Sequence, residues 1–173
     1  VTYDEFVAAR LQPLLRYAVM LSGDLHLAED LVQETMVRVQ LKWRRVAAAD
    51  VPEIYVKRML TNAYLDWRRG PWLRRVVLRP DHDESAPAMA TTPDHADAAV
   101  QRDEVWSLLA TLPRRQRAAL VLRFYEGLDD NEIAAVLDCA VGTVRSCISR
   151  ALATLRARLS AATTTLAMGG EHR

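Results

Sequence analysis

Residues 129–152 read DDNEIAAVLDCAVGTVRSCISRAL. Asp129 carries an acceptor suited to a helix N-cap, and Glu132 three residues on completes a capping box, so a helix is expected to open beside it. That helix is short and runs through Ile133, Ala134 and Leu137. The turn at Asp138-Cys139-Ala140 needs a left-handed backbone, usually supplied by Gly, which Asp tolerates better than most residues. A longer helix follows, with Val144, Ile148, Ala151, Leu152, Leu155 and Leu159 at helical spacing. Small Ala134 at the crossing, Asp138 at the turn and β-branched Val144 as anchor stand four and then six residues apart, which fits a DNA-binding helix-turn-helix. Opposite Val144, Ile148 and Leu152, the second helix presents Gly142, Thr143, Arg145, Ser146, Ser149 and Arg150 to a major groove. Arg145 suits a bidentate bond to guanine, and Thr143, Ser146 and Ser149 suit base edges or phosphates. Arg114, Arg115 and Arg117 upstream are expected on backbone phosphates. The plain alternative is an αα-hairpin with a solvated basic face. Both caps, the apolar anchor and the arginines together favour DNA binding.

Upstream of this motif, a helix carrying Val105, Leu108 and Leu109 is expected to break at Pro113, and a second to run from Arg114 to Tyr125 and end at Gly127. At the other end of the chain, Thr2 and Glu5 form a capping box for a first helix with Phe6, Leu14, Leu15, Ala18 and Leu21 on its apolar side, stopped at Ser22-Gly23. Asp24 caps a second helix whose apolar stripe is Ala28, Leu31, Val32, Thr35, Val39 and Trp43, with Glu29, Asp30, Gln33, Glu34, Val37 and Arg38 on the other face. A loop is expected over Val46–Val51. Pro52 suits the first position of a third helix. Its buried stripe is Val56, Met59, Leu60, Ala63 and Trp67, and its exposed side is Lys57, Arg58, Thr61, Asn62, Asp66, Arg68 and Arg69. Basic groups there supply phosphate affinity, and Tyr55, Tyr64 and Trp67 are aromatics able to stack on bases. For Trp67, on the stripe, a place in the core is the better reading.

Composition agrees with helices throughout. Half the residues are hydrophobic, only 6% are aromatic, and Leu, Ala and Val dominate, a balance that favours helices over a β-sandwich. The formal net charge is +1, but it is unevenly spread. Ten Lys/Arg face three Asp/Glu between Lys42 and Arg79, and five acids with no Lys or Arg lie between Asp81 and Gln101. Such asymmetry points to a polyanionic partner, and on charge alone equally to a solvated basic helix face. Pro80, Pro87 and Pro93 among small polar residues mark 80–100 as a linker. Two cysteines, Cys139 and Cys147, make no disulfide framework or CxxC pair, and fit a reducing compartment. No apolar run is long enough to span a bilayer and the N-terminus has no signal-peptide layout, so a cytoplasmic protein without direct membrane insertion is expected. The acidic cluster Asp81-His82-Asp83-Glu84 lacks a second ligand set at useful spacing, and no phosphate-cradling Gly motif occurs. Neither a metal nor a cofactor is expected, and the chain does not read as an enzyme.

Several stretches carry a resemblance as well: LSGD at 21–24, LAEDLVQET at 27–35, the segment 53–69 with Asn62 and Asp66, LRFYEGL at 122–128, EIA at 132–134 and VGTVRS at 141–146. Together they resemble the extracytoplasmic-function sigma factors, the smallest of the main bacterial sigma superfamily, and within them the sigma-E-type group of actinobacteria. The resemblance spans residues 3–160. It implies an all-α fold of two small helical domains joined by a flexible acidic linker, the C-terminal one a helix-turn-helix. Residues 1–79 would be a region-2-like domain, 80–100 the linker, 101–161 a region-4-like domain and 162–173 a frayed tail. The implied function is to bind core RNA polymerase and direct promoter recognition, DNA melting and transcription initiation. Core polymerase would meet Asp30, Gln33, Glu34, Val37 and Arg38. The minus-ten element would meet Lys57, Arg58, Thr61, Asn62, Asp66, Arg68 and Arg69, with the loop Val46–Pro52 receiving a flipped-out base. The minus-thirty-five element would meet Arg115, Arg117, Gly142, Thr143, Arg145, Ser146, Ser149 and Arg150. Promoter DNA, core polymerase and an anti-sigma factor are the implied partners. Three positions depart from the family pattern: Asp129-Asp130 stand where a Ser-led cap is usual, Asp138 replaces Gly, and Cys147 holds a place often basic or polar. The alternative is an autonomous helix-turn-helix regulator, which needs a dimer interface that no heptad in the tail supplies.

Overall fold

The helix starts follow from their caps. In the computed structural model, which describes residues 1–67 and 105–168, α1 spans Tyr3–Ser22. The Thr2 hydroxyl accepts the Glu5 N–H at 3.3 Å and the Glu5 carboxylate accepts the Thr2 N–H at 2.8 Å. That backbone bond holds the Glu5 carboxyl below the usual range. The helix continues through Pro13 and stops at Gly23, whose φ of +69° places it in the left-handed region. Asp24 caps α2 (Leu25–Leu41), accepting the Leu27 N–H at 2.9 Å. A short α3 (Trp43–Ala47) and then α4 (Pro52–Asp66) complete the first half. The loop expected over 46–51 is therefore shorter: no breaker interrupts Trp43–Ala47, and Val46 is fully buried in the core.

In the second half the chain is helical over 105–110, here α5, and resumes after Pro113 as α6 (Arg114–Leu120). What reads in the sequence as one α-helix to Tyr125 widens into a π-helical turn over Val121–Tyr125 before Gly127 ends it. The turn leaves Phe124 and Tyr125 exposed. Next comes α7 (Asp130–Leu137), with both bonds of the capping box between Asp129 and Glu132 in place. Asp138 has φ +51°, as the turn requires, and α8 spans Val141–Met168. Fraying was expected from Thr163, yet the backbone stays helical to Met168, because neither Gly nor Pro interrupts it before Gly169. Leu159, placed with the apolar set of this helix, is exposed.

The described residues contain no strand. The first core is Phe6, Leu14, Tyr17, Leu21, Ala28, Leu31, Val39, Val56 and Leu60, and the second is Leu122, Ile133, Val136, Leu137, Val144 and Ala151. The two merge into one continuous apolar cluster because α4 lies against α7 and the start of α6. Trp106 packs its indole on Gly23 across this junction. The predicted linker 80–100, its acidic cluster Asp81-His82-Asp83-Glu84, and Arg68 and Arg69 lie outside the described residues.

Candidate nucleic-acid interface

The geometry of the helix-turn-helix sets which side chains are free. Val144 and Ala151 are fully buried on the side of α8 that packs on α6 and α7, and Ala134 is buried on α7. With that side of α8 fixed, Gly142, Thr143, Arg145, Ser146, Ser149 and Arg150 are all exposed along the other. Arg145 is not loose: its Nε donates to Asp130 Oδ2 at 2.8 Å, and Arg123 pairs with Oδ1 of the same carboxylate. Arg123, Asp130, Arg145 and Ser149 line one open cleft beside α8. Sequence reasoning missed Asp130 and Arg123, because an ion pair between residues fifteen apart on two helices leaves no periodic trace.

The arginines placed upstream on phosphates part company. Arg115 is exposed but donates to Leu137 O at 2.9 Å, tying α6 to the end of α7. Arg117 is buried, at 9% exposure, and does not reach a phosphate in this arrangement. Its guanidinium donates to Leu21 O at 3.1 Å, Ala110 O at 3.0 Å and Leu112 O at 3.3 Å. Three carbonyls at the junction of the halves have captured it. Arg114 stacks over the rings of Tyr64 and Trp67, centroids at 5.2 and 4.8 Å, and donates to Tyr64 O.

On α4 the exposed side expected for DNA needs correcting at two positions. Lys57 is 5% exposed and lies between Glu53, at 2.9 Å, and Glu126 of the second half, to which it also pairs. Burial pulls the Lys57 ammonium down, but the hydrogen bonds it donates to Glu126 and Glu53, with their negative charge, outweigh that and hold it above the usual lysine range. Thr61 is fully buried; its hydroxyl donates to Lys57 O at 2.7 Å and meets the Tyr17 hydroxyl at 2.7 Å. Tyr64, considered a stacking residue, is buried as well. The remaining side chains stay nearer solvent. Arg58 is exposed and pairs with Asp138 at 2.9 Å, while Asn62 and Asp66 line a groove with Arg114, Arg115 and Asp138. The α4 face is thus covered in part by α7.

Two further surfaces are open. On α2, Asp30, Gln33, Glu34, Val37 and Arg38 are all exposed, Glu34 and Arg38 pairing at 2.5 Å. Val37 and Leu41 stand out on this polar side at 57% and 82% exposure. At the α3–α4 junction a cleft is lined by Phe6, Arg10, Trp43, Asp50, Val51 and Pro52, and Arg10 bridges to Glu53 at 3.0 Å. Among the described residues there is no cluster suited to a metal ion, and no helix is long and apolar enough to cross a membrane.

Residues 6–78 match the family model Sigma-70 region 2, and residues 102–155 match Sigma-70, region 4. The RNA polymerase sigma-E factor of Streptomyces avermitilis is 35% identical over 157 residues, covering 91% of this chain and 84% of that one. The ECF RNA polymerase sigma factor SigL of Mycobacterium tuberculosis is 34% identical over 158 residues, covering 91% and 86%. The chain belongs to the extracytoplasmic-function sigma factors. Among solved structures, this sigma factor resembles the sigma factor RpoE co-crystallised with the anti-sigma factor NepR from Bartonella quintana. The TM-score is 0.66 at 25% identity, over 91% of this chain and 96% of that one. Its two helical domains and its role as an RNA polymerase sigma factor follow from the two regions occurring in order on one chain, and its likeness to the sigma-E type from the Streptomyces relative.

Proposed function

We propose that this sigma factor, acting in the cytoplasm, divides promoter recognition among three surfaces. The α2 stripe of Asp30, Gln33, Glu34, Val37 and Arg38 docks on core polymerase. Its two exposed apolar side chains, Val37 and Leu41, give the contact a desolvated centre inside a polar rim. On α4, Arg58, Asn62 and Asp66, with Arg68 and Arg69 beyond, contact the minus-ten element, and the cleft beside Trp43 takes an unstacked base. Thr143, Arg145, Ser146, Ser149 and Arg150 of α8 read the minus-thirty-five element in the major groove, where phosphate contacts position and base contacts specify. Lys57, Thr61 and Arg117 are assigned to structure. The domain boundaries proposed are 1–79, 80–100 and 101–161. An anti-sigma factor is the expected masking partner, in keeping with the complex of the similar RpoE with the anti-sigma factor NepR.

The observation that carries this reading is the exposed row on α8 opposite the fully buried Val144 and Ala151. Because α4 is partly covered by α7, the halves must part before α4 meets DNA. The test is transcription by core polymerase from a promoter library, with and without the protein, and with Arg145→Ala. Protein-dependent initiation at a two-element promoter, with discrimination lost at one upstream base pair in the variant, is the expected result. Tight operator binding by the protein alone, without initiation, would replace this reading with an autonomous regulator.

A further inference from the structure

The Asp130 carboxylate has both oxygens engaged across two elements. Oδ1 pairs with Arg123 at the π-helical turn, and Oδ2 accepts from Nε of Arg145 on α8. Asp130 and Arg123 are largely shielded, their side chains 24% and 28% exposed, whereas Arg145 is 71% exposed. The long arginine side chain is thus anchored at its inner edge and open at its outer one. Among the described residues, its two terminal amino groups have no hydrogen-bond partner. Those groups form a planar fork that matches O6 and N7 of guanine. An arginine held by Nε keeps the fork at a fixed angle to α8, and fewer rotamers are lost on binding. The carboxylate is also well placed to bear this charge, since Asp130 is the first residue of α7 and faces the positive end of its dipole. Asp129, not Asp130, caps the helix, so the anchor is separate from the fold of the turn.

We propose that Asp130 is a positioning residue for base reading: buttressed by Arg123, it fixes the Arg145 guanidinium for a bidentate contact with one guanine of the upstream promoter element. This rests on the assignment of Arg145 as a base reader. Two effects of Asp130 on DNA binding oppose each other, and that separates positioning from simple charge. As an anion near a polyanion, Asp130 weakens affinity for any sequence. As an anchor, it sharpens the choice at one base pair.

The experiment compares holoenzymes carrying the wild type, Asp130→Asn, Arg145→Ala and the double variant on a promoter library randomised through the upstream element, read as base preference per position. Asp130→Asn keeps the side-chain shape and leaves the Asp129 cap intact. It is expected to bind non-specific duplex DNA slightly tighter, yet to lose about fivefold in discrimination at one base pair, the lower end of a bidentate arginine–guanine contact. Arg145→Ala should lose discrimination at that same pair, and the double variant should match Arg145→Ala alone. Tighter binding with an unchanged base profile in Asp130→Asn, while Arg145→Ala alters it, overturns the positioning role and leaves the reader intact. An unchanged profile in Arg145→Ala overturns both. A general loss across all positions in Asp130→Asn, with a lowered melting temperature, also overturns the proposal by making Asp130 a fold residue.

Discussion

Thr61 sits deep between α1 and α4, where its hydroxyl gives its proton to Lys57 O and accepts from Tyr17. Since Thr61 has one proton and the carbonyl takes it, Tyr17 must be the donor of the second bond. Burial pushes the Tyr17 phenol far above its usual range, so it stays a donor at any working pH. Thr61→Val leaves that buried donor unmatched. It is expected to destabilise the fold by about 1–3 kcal/mol in denaturant titration while leaving the minus-ten base preference unchanged. Gly23 makes a second residue-scale case. Its φ is +69°, and a Cβ built there falls inside the Trp106 ring. Gly23→Ala should therefore cost more than the roughly 1 kcal/mol of a left-handed alanine, seen as a lower melting temperature. The sequence marked Gly23 as a helix stop but held no sign of Trp106, which lies over eighty residues further along. For the same reason Lys57, Thr61 and Arg117 read as solvent-facing: each is polar and off its helix's apolar stripe, and each is buried by partners from elsewhere in the chain.

At the scale of the element, local chemistry was legible and geometry near turns was not. The caps at Thr2, Asp24 and Asp129 and the left-handed stops at Gly23 and Asp138 depend on three or four consecutive residues, so they could be read directly. The π-helical turn at Val121–Tyr125 has no such local signal, and the short α3 is marked only by Val46, which is buried in the core. The α2 stripe shows how a periodic pattern separates a buried side from an outer one. Its buried side is complete, so Val37 and Leu41 on the opposite side are surplus to the fold. Glu34→Arg alters only that outer side. Placing it beside Arg38 exchanges an i,i+4 attraction for a repulsion of a few tenths of a kcal/mol, so the melting temperature should barely move. Affinity for core polymerase, titrated by fluorescence anisotropy, should fall at least about tenfold if this charge meets a complementary one. Unchanged affinity would remove α2 from the interface.

For the molecule as a whole, a largely buried ionic contact joins the halves beside their shared apolar cluster. Lys57 on α4 is shared by Glu53 of its own helix and Glu126 of the second half, with Lys57 and Glu126 side chains only 7% and 14% exposed. Arg58 with Asp138 is a second cross-half pair among the described residues, but there the side chains are 45% and 72% exposed, so solvent screens it to less than about 1 kcal/mol. Removing Lys57 leaves two carboxylates facing each other with little water. Glu53 retains Arg10 at 3.0 Å, which softens the penalty on its side. Lys57→Met should thus weaken the closed arrangement by about 3 kcal/mol, the low end for breaking a buried pair and roughly a hundredfold in the closed-to-open ratio. Arg58→Ala should change the ratio several-fold at most. Energy transfer between labels on the two halves, with small-angle scattering as a check, measures both. The pH dependence carries a definite sign. Because pairing raises the Lys57 pKa above its ordinary 10.5, its stabilising contribution is complete below that value and is lost only as pH climbs through the raised one. Near neutral pH the Lys57 clasp is insensitive to acidity. A closed form that opened between pH 6 and 8 as readily in Lys57→Met as in the wild type would place the controlling contact elsewhere. Under the proposed division of surfaces, opening therefore requires a partner that binds the separated halves better than the joined ones, and α4, which α7 covers in part, is the surface such a partner would gain.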